Sequence, residues 1–338
     1  MDSVSQIALG AAVSVAAMGR HTSLGRAALW GAVCGTLPDL DALVDHGDAV
    51  RNMVLHRAET HAPFYLVLAA PLLAALIAVL HGEARLFRRW WLAVTLVLVT
   101  HPLLDVMTIY GTQLGLPFTN HPYGVGSIFI IDPLYTLSLV VGVIAALRLP
   151  DDDGLRWNLA GIALSCLYLA WGFTVQQQVR GIAAQQLQAQ GLPVERLLAT
   201  PTPFNSLLWR VVAVTPEAYF EGFRSILDGD EAIRFVRHER HPALYETLRE
   251  HEPVARIAAF SHGFFAMQEQ GGQVLISDLR MGQAPYFFFT FAVANTDDGA
   301  APTPVPPQPL RWRPPAAAGM AWLGRRIFDP KLPAPELR

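Results

Sequence analysis

The chain has 338 residues, 52% of them hydrophobic and 16% charged, with a formal net charge of −3. An average soluble domain is about 25% charged, so the composition points to a membrane protein, and near-neutrality leaves no electrostatic footprint for nucleic acid. The two cysteines, Cys34 and Cys166, both in apolar segments, exclude a disulfide framework and a CxxC metal knuckle.

The N-terminal stretch "MDSVSQIALGAAVSVAAMGR" is apolar, but Asp2 precedes it and no basic n-region does. It is expected to remain as a membrane-associated helix and not to be cleaved as a signal peptide. Apolar runs then follow one another at 4–18, 27–44, 63–80, 90–104, 128–147 and 159–175. A spanning helix needs about 20 mostly apolar residues. The third, fifth and sixth runs meet that length, and the fourth does with generous ends. The first two are short, and either cross incompletely or re-enter. The expected fold class is an α-helical integral membrane bundle over 1–178, of about six helices with about four as a floor. "QQQVRGIAAQQLQAQG" then reads as a polar helical connector over 179–196.

From 197 to 300 the chain reads as a small soluble α+β domain with an antiparallel sheet. "RIAAFSHGFFAMQEQGGQVLISDLR" looks like two strands around Gly271-Gly272, and "APYFFFTFAVAN" like another. Ser261 and His262 are adjacent, but no Gly-x-Ser-x-Gly elbow surrounds them, so His262 reads as a strand residue. The tail, 301–338, is Pro-rich and is expected to be extended or mobile over 301–315. No internal repeat is visible.

Basic residues in short loops set orientation. The odd loops hold seven arginines (Arg20, Arg26, Arg85, Arg88, Arg89, Arg148 and Arg156), whereas the even loops hold only Arg51 and Arg57. The odd loops are therefore expected in the cytoplasm, and both termini on the other side. Asp39 and Asp41 of "PDLD", His56 and His61 of "HRAETH", His101 and Asp105 of "HPLLD", and Asp132 of "IIDPLY" then all fall at the non-cytoplasmic face.

Ionisable groups at membrane depth are costly, and they pair or line a cavity. His101 and Asp105, at i and i+4, share a helix face. Three imidazoles and three carboxylates form a mixed N/O set suited to zinc, manganese or iron, as one ion or two. Each motif alone has a plainer reading. "DLD" at a helix end is usually a cap or a solvated turn, and HxxxD an intrahelical pair. Asp132 before a proline reads as an N-cap. His46 and His81 read as interfacial, and His121 as a possible helper. Joint placement on one face is what favours a metal site.

Several ordered stretches carry a resemblance: "MDSVSQIALGAAV", "GTLPDLDALVD", "HRAETHAPF", "THPLLDVMTIYGTQLGLPF" and "SIFIIDPLYTL". Across about the first half of the chain they resemble the YdjM-like family of predicted membrane-bound metal-dependent hydrolases. "TPFNSLLWRVV" and "SDLRMG" look like its long-form members. The resemblance implies an integral membrane protein of the inner membrane with a metal-hydrolase site. Many relatives carry a Thr-His pair near the start, where this chain has Ser5-Gln6, so a seventh ligand is not expected there.

The expected chemistry is hydrolysis by metal-activated water, with Asp39, Asp41, His56, His61, His101 and Asp105 as ligands. An aspartate of "PDLD" left off the metal would act as general base. Arg57 would clamp an anionic group, and Thr108, Tyr110 and Gln113 would orient substrate. Membrane lipid is the expected surrounding, and a lipid phosphoester or similar amphiphile the expected substrate. A cation-linked transporter, or a scaffold with a structural metal, are the alternatives.

Overall fold

The structure is a computed structural model that describes residues 1–296, 301–311 and 315–334. The chain divides into two compact units. The first comprises Met1–Val44, His56–Phe173 and Pro203–Asn205; the second comprises Asp45–Leu55, Thr174–Thr202 and the chain from Ser206 onward.

The helices of the first unit are α1 (Ser3–Met18) and α2 (Leu24–Thr36), and, after a short α3 (Ala49–Leu55) that belongs to the second unit, α4 (Pro63–Leu80), α5 (Phe87–Val106) and α6 (Pro133–Arg148). The long α7 (Asp151–Ala189) contributes its first part. Side chains start three of these helices. Asp2 accepts from the Val4 and Ser5 amides, Ser23 from Arg26, and Asp132 from Leu134 and Tyr135. The expected N-cap role of Asp132 is thus met. Each cap satisfies amides that the helix cannot bond itself.

Glycines bring α1 and α2 together. A Cβ on Gly10 would lie 2.3 Å from the Gly31 carbonyl oxygen, and one on Gly31 would lie 2.2 Å from that of Gly10. Small residues allow such backbone approach between helices in a bilayer. Val15, Ala27, Ala70, Ile77, Trp90 and Leu98 form the core between the helices. Leu72 and Val79 of α4 are each 75% exposed, which suits a surface facing lipid. Among the described residues, three helical stretches are long and apolar enough to cross a membrane: Pro63–Leu80, Ala84–Val106 and Asp152–Ala189. The expectation of about six spans is therefore not reached by helix length. Helices α1, α2 and α6, with 16, 13 and 16 residues, are too short.

The second unit holds β1 (Arg196–Pro201), β2 (Leu208–Val214), β3 (Ala218–Ser225) and β4 (Val236–Glu239), then α8 (Pro242–Leu248) and α9 (Glu252–Phe260). Strands β5 (Phe265–Gln270), β6 (Gln273–Asp278), β7 (Gly282–Gln283), β8 (Tyr286–Phe287), β9 (Thr290–Asn295) and β10 (Thr303–Pro309) follow, and then α10 (Ala316–Arg326). They form an antiparallel sheet in the order β1-β2-β3-β4, a second in the order β10-β9-β6-β5, and a β7-β8 hairpin. The α+β expectation holds, with two four-stranded sheets where one small sheet was expected. Gly271 and Gly272, both at positive φ, make the expected turn between β5 and β6.

His262 is not a strand residue. It has φ 54° and, with Gly263 at φ 79°, follows the end of α9, where its amide donates to the Ala259 carbonyl. A left-handed closure of this kind ends a helix. The 301–315 stretch is extended over β10, but it is tied into a sheet through β9, and a helix succeeds it. Residues 312–314 and 335–338 of the tail, and the expected boundary at 300, lie outside the described residues. The connector read over 179–196 continues α7 to Ala189.

Candidate metal centre

Helix α2 ends at Thr36, and Leu37, still in right-handed α geometry, leads into Pro38. A 3-10 turn, Pro38–Leu43, takes over. It sends its two aspartates to different partners. Asp39 Oδ1 lies 3.4 Å from both His61 Nε2 and His101 Nε2. Asp41 instead accepts from the Arg57 amide at 2.9 Å and the Thr60 hydroxyl at 2.8 Å, and it meets His56 Nδ1 at 2.8 Å.

His61 ends a 3-10 turn, Glu59–His61, just before Pro63 opens α4. His101 and Asp105 sit one turn apart on α5, as their spacing predicts. Both histidines are oriented from behind. His101 Nδ1 lies 2.7 Å from the Gly35 carbonyl oxygen, which can only accept, so the proton is on Nδ1. His61 Nδ1 lies 2.9 Å from Thr60 Oγ1 and 3.5 Å from Asp41 Oδ2. The two Nε2 atoms are thereby aimed at each other, 3.2 Å apart. A hydrogen-bond partner on the far nitrogen is how proteins fix a metal-ligating imidazole.

Asp105 is fully buried and its two oxygens have different surroundings. Oδ1 meets the Met1 amino group, Gln6 Nε2 at 3.1 Å and Arg57 Nη2 at 3.4 Å. Oδ2 makes no hydrogen bond, and lies 3.3 Å from His61 Nε2 and 3.4 Å from His101 Nε2. The Asp39, His61, His101 and Asp105 ligand atoms all lie within 4.8 Å of one another.

Ligands about 2.0–2.1 Å from a tetrahedral ion are separated by about 3.3–3.4 Å. The five separations above run from 3.2 to 3.4 Å. Two buried imidazole lone pairs and an orphaned buried carboxylate oxygen converge beside the half-buried Asp39, and a divalent cation resolves that convergence. The donor set fits zinc, and manganese or iron by the same N/O chemistry. Without a cation His61 draws a proton. Burial opposes charge on His61, but the Asp105, Asp39 and Asp41 carboxylates outweigh it and push the imidazole up to about 9.

The remaining expected residues lie around this group. His56, a quarter exposed at its side chain, is bonded to Asp41, and its ring is 5.6 Å from that of Tyr110. Arg57 is buried at φ 65°, over the Tyr110 ring at 4.9 Å, with Nη1 3.3 Å from Thr108 Oγ1. A non-glycine residue in that region costs about 1–3 kcal/mol and persists only where its surroundings impose it. The Gln113 amide donates to the Arg57 carbonyl at 3.0 Å, which ties the loop after α5 to this turn. Thr60, Gln6 and the Gly35 carbonyl were not among the expected participants. Thr60 had a visible signal, its place beside His61; the carbonyl had none.

A family model described as YdjM inner membrane protein matches residues 1–179. The chain belongs to the YdjM family. It is also similar to "Uncharacterized protein YfhP" of Bacillus subtilis (strain 168), 23% identical over 231 residues, which cover 66% of this chain and 68% of that protein. An alignment of that length cannot fit within 179 residues, so it also takes in part of the chain outside the YdjM match. No solved structure matches. All four members of the candidate metal centre lie within the YdjM-matched region, and so do Asp41, His56 and Arg57.

Proposed function

We propose that this YdjM-family protein is a membrane-bound metal-dependent hydrolase acting on a phosphoester or similar bond of a lipid or amphiphilic substrate. The observation that carries the reading is the pair of Nε2 atoms 3.2 Å apart, flanked by a carboxylate oxygen without a hydrogen-bond partner. Asp39, His61, His101 and Asp105 would hold one divalent ion, zinc foremost, which when bound supplies Lewis acidity and lowers the pKa of water from 15.7 to about 7.

The protein's own groups divide the remaining work. Asp105 is held by three donors and anchors the set. Asp39, 23% exposed, is the member that solvent reaches, and it opens the set to substrate. His56 has its Nδ1 committed to Asp41, so Nε2 is the atom that takes and returns a proton. Arg57 places a fixed positive charge beside the set, which favours an anionic phosphoryl group. Gln113, through its bond to the Arg57 carbonyl, keeps that turn in place. The arginine distribution supports a site on the non-cytoplasmic side.

A second reading has one specific support. Four protein ligands complete a tetrahedral set, as in structural zinc sites. The two readings separate on one experiment with the full chain reconstituted in lipid nanodiscs. With zinc or manganese and a fluorogenic lipid phosphoester, the wild type turns over, His101→Ala abolishes turnover, and His56→Gln keeps the metal but slows the rate by about 10²–10⁴. Equal rates for wild type and His101→Ala overturn the hydrolase. A melting temperature that falls on chelation, with no turnover at any metal, establishes the structural metal instead.

A further inference from the structure

Within the second unit, β3, β4, β5, the β7-β8 hairpin and the α10 end of the chain enclose a cavity of about 780 Å³. Ligand sites run to about 300–1,000 Å³. Tyr219, Glu221 and Phe223 alternate along β3, so they share one face, and all three line the cavity while almost wholly buried. Phe287 meets the Tyr219 ring at 6.2 Å, and Trp322 meets Phe223 at 4.9 Å, both edge-on. The walls are thus aromatic on two sides.

The buried charges at the cavity are already paired, while its exposed rim carries Glu239, paired with Arg237, and Arg234, which donates to the Lys331 carbonyl. Arg210 donates to Glu221 Oε1 at 2.5 Å, and the Ala284 amide donates to Oε2 at 3.2 Å. Arg326 grips both oxygens of Asp228, at 2.8 and 2.9 Å. Among the neutral polar groups on the wall, a cross-strand pair is uncommitted. Tyr219 and His238 face each other in register and stack at 4.8 Å, 17° from parallel. Neither the Tyr219 hydroxyl nor the His238 ring has a hydrogen-bond partner among the described residues. Burial lowers the His238 imidazole below its ordinary value and leaves it neutral, with Arg210 working in the same direction and Glu221 against.

We propose that this cavity binds an uncharged small molecule with an aromatic or similarly flat apolar body and one hydrogen-bonding head, which meets Tyr219 and His238. An ionic ligand finds no free counter-charge among the buried groups here, and leaving a buried charge unpaired is costly. An apolar body finds aromatic faces and edges, which reward ring stacking beyond area alone. The two uncommitted polar groups supply orientation, as is usual where a few polar atoms punctuate an apolar site. The site is separate from the metal centre: every residue named here belongs to the second unit.

The test uses the full chain in detergent, with naphthol as probe and naphthalene as the same body without the head, read by hydrogen–deuterium exchange with mass spectrometry. Amides of β3 and β4 are expected to exchange roughly fivefold slower at about four times the naphthol Kd, because binding slows opening by 1 + [L]/Kd. Ala266→Trp, which fills the cavity from β5, removes that protection. Tyr219→Phe keeps the ring stack and weakens naphthol by about threefold to tenfold, the worth of one hydrogen bond, without changing naphthalene. The site is overturned if the wild type shows no protection, or if Ala266→Trp is protected equally. If Ala266→Trp does not fold, Tyr219→Phe still decides, since equal naphthol binding by that variant rejects the assigned head-group contact.

Discussion

Buried charges are handled in two ways in this molecule. In the second unit, Arg326 with Asp228 and Arg280 with Asp278 are closed pairs, each guanidinium facing both oxygens of one carboxylate. Arg210 with Glu221 is a third buried pair, though it leaves Nη2 without a partner among the described residues. In the first unit, Asp39, His61, His101 and Asp105 form no such pairs. Their ligand atoms face a common point, and among the described residues Asp105 Oδ2, Gln6 Oε1 and Arg57 Nε make no hydrogen bond. A closed pair offsets part of the cost of burying its two charges. A convergence that the protein does not close is a site for something else.

The sharpest way to break that comparison is elemental analysis of the purified full chain. The wild type is expected to carry about one divalent ion per chain, and an Asp39→Ala, His101→Ala double variant almost none. Equal metal in both would reduce the first unit to the same status as the second. Next in size is the opposite variant. Asp228→Ala strands Arg326 and should lower stability by about 3–5 kcal/mol in denaturant titration, with the metal content untouched.

A smaller effect belongs to the outer partners. Asp41→Asn disturbs the bonds to His56, Thr60 and the Arg57 amide, and should weaken metal binding by about 10–100-fold in a competition titration. Affinity unchanged by that variant would mean that His61 is oriented without Asp41. The smallest is a pH effect on the metal-free protein. His61 is raised from 6.5 to about 9, so its proton stabilises the fold fully below about pH 6.5, and that contribution is lost as pH climbs through about 9. The melting temperature of the metal-free chain should fall across that window. The loaded chain, whose His61 would be a neutral ligand at every pH in that window, should stay level.

Much of the metal centre was legible from the chain alone, and its limits are specific. His101 and Asp105 share a face because helical periodicity is local, and Asp132 before a proline is a cap for equally local reasons. The division of labour between Asp39 and Asp41 was not legible. Two residues in one tight turn look alike in sequence, and only the 3-10 geometry separates them. The Gly35 carbonyl behind His101 is a backbone atom 66 residues away, which no side-chain motif records. His262 looked like part of a strand because it lies in the stretch read as two strands around Gly271-Gly272, yet the Ser-His-Gly sequence there closes a helix.

Composition, apolar run length and residue type determined that this is a membrane protein whose polar groups of metal-ligating chemistry recur at the ends of helices. Those properties are local: each follows from hydrophobicity, helical period or donor chemistry within a few residues. Tertiary structure decided which four groups meet and which two stand behind them. It also assigned the 45–55 segment to the second unit, where α3 packs on α9 and β10, and it gave that unit an aromatic cavity. Contacts between residues tens of positions apart depend on backbone approach, such as Gly10 against Gly31, that only the packed chain establishes.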